Sequence, residues 1–179
     1  QLEFEKILQP FFSHGAKKRY VGKQVWPKES MLIRGYETRR TDSFPSQVEA
    51  LEQVFSCLME SEIDNALNLS KDWVTKISNG EVEKNSLVIS KTVNLKRKYV
   101  NEDNQAHLQA HKKYIKTGRP FVSGMKISFI VTDASKSPMI VEPYIPEEEC
   151  PNPDFNYYAD RLAKSLSRIT DVFDWDEKA

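Results

Sequence analysis

Three consecutive cations, Lys17, Lys18 and Arg19, run directly into Tyr20. Lys and Arg beside an aromatic suit a phosphate backbone: the cations pair with phosphate oxygens, and the ring packs on a sugar or offers its hydroxyl. On an extended chain Lys18 and Tyr20 project to one face, and Lys17 and Arg19 to the other. Arg39 and Arg40 add a second cation pair. Further along, Lys91, the run Lys96-Arg97-Lys98, and Lys112 surround Tyr99 and His107. His107 has no accompanying nucleophile or orienting acid, which argues against a catalytic base. Cys57 and Cys150 lie far apart with no metal-ligand spacing, and read as plain thiols of a reducing compartment.

The chain as a whole is neutral, with 26 Lys and Arg against 26 Asp and Glu, which argues against a freely roaming nucleic-acid binder. The mean hides a pattern. Residues 14–40 hold eight cations against two acids, and residues 91–119 repeat that balance. Residues 141–179 invert it, with ten acids against four bases. Two basic blocks and an acidic end imply one surface facing phosphates and another facing elsewhere. No apolar run approaches the roughly 20 residues of a membrane span, and no secretory leader pattern is visible. The expected location is intracellular, in cytoplasm or nucleoid, or the nucleus of a eukaryote.

These residues need elements to hold them. Leu2–Phe12 reads as a strand, and Arg19–Trp26 and Met31–Thr38 read as two more around a turn at Trp26-Pro27-Lys28-Glu29. Ser46, with Glu49 three residues on, has capping-box spacing ahead of a helix carrying Val48, Leu51, Val54, Phe55 and Leu58. A second helix is expected over Ile63–Ser78, stopped by Asn79-Gly80. Leu87–Ile89 reads as a short strand, Ala106–Thr117 as a helix ended by Gly118, and Lys126–Thr132 as a buried strand. Pro143–Pro153 reads as a loop, and Asp154–Phe173 as a final helix. The fold class is α+β: a β-rich beginning, then a mostly helical body with a small strand insert.

The order of these signals resembles the family B DNA polymerases, over essentially the whole chain. Leu2-Glu3-Phe4-Glu5-Lys6 followed by Lys17-Lys18-Arg19-Tyr20-Val21-Gly22 is similar to the stretch where the palm hands over to the thumb. Gly35-Tyr36-Glu37-Thr38-Arg39-Arg40-Thr41-Asp42 resembles the family's Gly-x-Glu-x-x-Arg-x-Asp element. Ile89-Ser90-Lys91, then Tyr99, then His107 with Lys112, resembles its thumb pattern. Gly124–Val131 resembles the following strand, and Asn156-Tyr157-Tyr158 with Arg161-Leu162 the closing helix.

The resemblance implies a palm edge and palm–thumb junction over residues 1–42 and a thumb over residues 43–179. It implies binding of primer-template duplex through Lys17, Lys18, Arg19, Tyr20, Arg40, Lys91, Tyr99, His107 and Lys112. Lys18 and Tyr20 would steady the primer end by positioning, with no proton transfer. Asp42 would orient Arg40 or cap a turn. Nucleotidyl transfer in the family uses two Mg²⁺ ions held by palm aspartates, which this reading puts upstream of Gln1. Glu5, and less so Glu3, would be auxiliary metal carboxylates, or simply solvent-facing residues of a strand. The chain would then be the small subunit of a split, archaeal-type polymerase or a fragment, inactive without the catalytic palm, fingers and exonuclease portion. A sliding clamp is a further expected partner, although Phe173–Ala179 does not match the paired-aromatic clamp motif. The rival reading is a stand-alone nucleic-acid-binding module.

Overall fold

The structure is a computed structural model. It describes residues 7–13, 20–26, 30–34 and 42–170, with backbone alone in the first three stretches and at residue 170. Three strands, β1 (Ile7–Ser13), β2 (Tyr20–Trp26) and β3 (Ser30–Arg34), form an antiparallel sheet in sequence order. Within it Tyr20 pairs with Ser13 on one side and Arg34 on the other. The expected antiparallel pairing of these two segments is present, while the expected turn at residues 27–29 lies outside the described residues.

Helix α1 (Pro45–Met59) does not begin as its sequence suggests. Phe44 holds the N-cap position and Pro45 the first turn, where proline's fixed φ and missing N–H cost nothing. Phe44 is fully buried, with its ring edge-on to Tyr158 at 5.0 Å, and this anchors the chain ahead of the helix. Ser46 lies inside the first turn, and its hydroxyl donates instead to Ser86 at 2.7 Å. Buried Gln47, Ala50, Leu51, Val54, Phe55 and Leu58 follow at helical spacing and define the face turned to the core.

Helix α2 (Ile63–Ser78) starts and stops where its sequence says, with Asn79 at the C-cap and Gly80 at a φ of +70°. A Cβ at residue 80 would also come within 3.1 Å of the Phe155 ring, which would have to give by a few tenths of an ångström, so the positive φ is the stronger reason for glycine. Helix α4 (Phe155–Thr170) packs against α2 and buries Tyr158, Leu162, Leu166 and Ile169. Asp154 caps it: one carboxylate oxygen accepts from the Tyr157 N–H and the other from the Ala134 N–H.

A second antiparallel sheet has the order β4 (Ile89–Thr92), β5 (Lys126–Asp133), β6 (Ile140–Pro143). A 3-10 turn over Lys84–Leu87 takes up the beginning of the expected Leu87–Ile89 strand. Strand β6 lies ahead of the expected 143–153 loop and shares Pro143 with it; at four residues ending in proline it leaves little alternation to read. Helix α3 (Ala106–Ile115) packs on β5 and β6, and Gly118 follows it at a φ of +79°. A continuous hydrophobic core joins the helices to this second sheet, from Phe44 and Leu51 through Ile130 and Val131 to Leu162. Among the described residues no helix is long and apolar enough to cross a membrane. The architecture is α+β.

Candidate nucleic-acid interface

Strand β4 delivers Lys91. Ile89 and Lys91 are two residues apart and share a face of the strand, so the buried Ile89 fixes the strand while Lys91 stays half-exposed beside it. On the opposite face the Ser90 and Ser128 hydroxyls meet at 2.7 Å and hold β4 to β5.

Tyr99 organises the loop after β4. Its hydroxyl accepts from the Asn94 N–H at 3.1 Å, closing residues 94–99 into a compact turn. Its ring meets His107 edge-on at 5.6 Å, and the Arg97 guanidinium lies 5.6 Å from its centre. One side chain thus holds a loop cation and the first turn of α3 in register. Lys96, Arg97 and Lys98 are exposed, and Lys96 and Lys98 have no acid partner among the described residues.

His107 is 4% exposed. Burial and, after it, the nearby Lys91 charge push its pKa below the usual histidine value, so the ring is neutral at pH 7. It lines a cleft of about 210 Å³ together with Lys91, Gln105, Asp42, Tyr157 and Arg161. Sequence reasoning brought Lys91, Tyr99 and His107 to this place and missed Gln105 and Arg161. The signal for Arg161 lay in its spacing from Tyr157, one helical turn away, whose hydroxyl accepts from Arg161 at 3.2 Å.

Asp42 has a partner that its sequence neighbourhood does not suggest. Its carboxylate pairs with Arg161 at 2.9 Å, and its carbonyl accepts a second bond from the same guanidinium at 2.8 Å. The partner comes from the last helix, and residues 119 positions apart in sequence give no local cue to each other. Arg40, the partner expected for it, lies outside the described residues.

Lys112 stands apart from Lys91 and His107. It lies about 140° around α3 from His107, facing solvent and outside the cleft. Asp103 holds it at 2.8 Å, with Glu102 at 3.9 Å. The hydrogen bond between them lowers the Asp103 pKa and raises that of Lys112. His111 packs its ring on Phe121 at 4.6 Å and is a packing residue. Trp73 is half-buried and donates to Gln53 at 2.9 Å.

Tyr20 lies in β2, where its backbone alone is described; Lys17, Lys18, Arg19, Arg40, Glu3 and Glu5 fall outside the described residues. Among the described residues no three His, Cys, Asp or Glu side chains converge into a donor set, so these residues do not fit a metal ion. Cys57 and Cys150 are free, half-buried thiols.

A sequence profile described as DNA polymerase family B matches residues 1–173. DNA polymerase 2 of Aeropyrum pernix is 28% identical over 183 residues, covering 99% of this chain and 22% of that protein. A DNA polymerase of Paramecium bursaria Chlorella virus NY2A is 30% identical over 141 residues, 76% of this chain and 15% of its own. The DNA polymerase delta catalytic subunit of Plasmodium falciparum is 26% identical, with 96% and 16% covered. The family B DNA polymerase of the archaeon Pyrobaculum calidifontis superposes with a TM-score of 0.65 at 18% identity, over 88% of this chain and 20% of that one. The chain thus spans about a fifth or less of the length of these proteins.

Proposed function

As the chain belongs to DNA polymerase family B, we propose that residues 43–179 are its thumb and residues 1–42 the edge of its palm with the palm–thumb junction. The thumb grips primer-template duplex behind the active site, and the rest of the polymerase performs template-directed nucleotidyl transfer. The observation that carries this reading is the convergence of Lys91, Tyr99 and His107 beside the exposed Lys96–Lys98 run. A thumb must hold duplex of any sequence, so its contacts belong on phosphates and sugars, where ammonium and main-chain N–H donors serve best.

Lys17, Lys18, Arg19, Tyr20 and Arg40 belong to the junction and position the primer end. Divalent metal, Mg²⁺ in this reading, supplies charge stabilisation at the transferring phosphoryl group. Its main carboxylates belong to residues outside this chain, with Glu5 and Glu3 as outer candidates. The further partners are the catalytic palm, fingers and exonuclease portion, and a sliding clamp.

Two measurements test the reading. Fluorescence anisotropy should give duplex binding that is indifferent to sequence and falls steeply with salt; strong sequence preference favours a stand-alone module instead. Mixing the chain with a polypeptide carrying the remaining polymerase regions should restore primer extension. Extension that proceeds equally well without residues 1–179 removes the reading.

A further inference from the structure

We infer that Arg161 is a positioning residue: it clamps residue 42 onto α4 and so fixes the angle at which the thumb leaves the palm edge. Residues 42 and 43 are the junction in the thumb reading above, on which this clamp depends.

Residues 42–47 are fastened to α4 along one ridge. The Asp42 carboxylate and carbonyl both accept from one terminal nitrogen of Arg161, at 2.9 and 2.8 Å. The Phe44 ring stands edge-on to Tyr158 at 5.0 Å. The Gln47 amide donates to the Ser165 hydroxyl at 2.7 Å. Tyr158, Arg161 and Ser165 follow one another at helical spacings of three and four residues, which puts them on the same side of α4. That ridge is itself anchored, because the Tyr158 hydroxyl accepts from the Val131 N–H of β5 at 2.9 Å.

These contacts differ in kind. Phe44 and Gln47 are fully buried, and they seat the segment in the core. The Asp42 and Arg161 side chains are 45% and 20% exposed, and an ion pair so open to water adds little stability. Its effect lies in direction. The bond to the Asp42 carbonyl acts on the main chain itself, and the other terminal nitrogen of the guanidinium donates to the Tyr157 hydroxyl at 3.2 Å. A planar fork held on both prongs fixes where the backbone runs at residue 42. Lysine has the charge and lacks the fork.

At such a junction angle matters more than strength. Helix α4 has 16 residues and is about 24 Å long, so a tilt of about 5° moves its far end by about 2 Å. A displacement of about 1 Å at the reacting atoms can cost on the order of a hundredfold in rate. In the thumb reading the duplex is gripped on one side of residue 42 and the primer end reacts on the other. Slack in the clamp therefore leaves the grip intact and blunts extension.

The test pairs the chain with a polypeptide carrying the remaining polymerase regions and measures primer extension at saturating duplex. Arg161→Gln should lower the rate of nucleotide addition about tenfold, and Arg161→Lys nearly as far. Asp42→Asn keeps the main-chain carbonyl and should lose about threefold. Duplex affinity of each variant chain in anisotropy should stay within about twofold of the unaltered chain, and its urea midpoint should hold. Extension at the unaltered rate in Arg161→Gln, or full rescue by Arg161→Lys, overturns the clamp and leaves the thumb reading standing. A loss of extension matched by an equal loss of duplex affinity, or by a lowered urea midpoint, makes Arg161 a binding or folding residue and overturns the clamp likewise. An unaltered chain that restores no extension overturns the thumb reading, and the clamp with it.

Discussion

The two ends of α3 carry the same kinds of cation in opposite circumstances. Past its C-terminal half, Lys112 is held by Asp103, Lys113 by Glu142 at 2.6 Å, and Arg119 by Glu148 at 3.0 Å. Around its N-terminus Lys91, Lys96 and Lys98 have no acid partner among the described residues, and Arg97 lies against the Tyr99 ring. In sequence the two groups form one basic block. In three dimensions Lys112, Lys113 and Arg119 are answered by acids from the 102–103 turn, from β6 and from the 147–149 loop, while Lys116 and the earlier cations have no acid partner among the described residues. Exposed ion pairs contribute little to stability, so the difference matters chiefly for competition. A phosphate approaching Lys112 must displace a carboxylate, whereas one approaching Lys96 need not.

The contrast can be broken most forcefully by replacing Lys96, Arg97 and Lys98 together with Ser. Duplex affinity at low salt should fall on the order of a hundredfold, and the salt slope should flatten by up to about 2.7, or 0.9 for each phosphate that goes unneutralised. An unchanged slope would place binding elsewhere. Tyr158→Phe sharpens the comparison from the side of stability, because it lies in the core and touches neither group. Its hydroxyl accepts from the Val131 N–H at 2.9 Å, so its removal should lower the unfolding free energy by about 1–3 kcal/mol in urea titrations. Duplex affinity of the folded fraction should not move. Asp103→Asn with Glu102→Gln should convert Lys112 to the unpaired kind and tighten duplex binding about threefold in anisotropy, the size of one modest charge interaction. Lys112→Ala in the otherwise unchanged chain should alter affinity less than about twofold, since its charge is already answered.

Local rules were legible where local chemistry decides. Asn79 and Gly80 ended α2 on schedule because a positive φ after a helix calls for glycine. Asp154 capped α4 because its carboxylate can reach the next turn. Ser46 has capping-box spacing, but Pro45, whose ring geometry claims the first helical position, and Phe44, whose burial fixes the approach, set the start of the helix earlier. Strand β6 was hidden by its brevity. At the site, Lys91, Tyr99 and His107 came from the ordered motifs. Gln105 and Arg161 did not, because their place depends on how α3 and α4 meet across the cleft, and Asp42 found its partner only through the folded chain.

That long closure has a temporal meaning. Arg161 reaches back to Asp42 and Ser165 accepts from Gln47, across 119 and 118 residues. During synthesis at roughly 5–20 residues per second, Phe44 and the first turn of α1 leave the ribosome about 6–24 s before the helix that covers them. For that interval the nascent chain carries a bare aromatic surface.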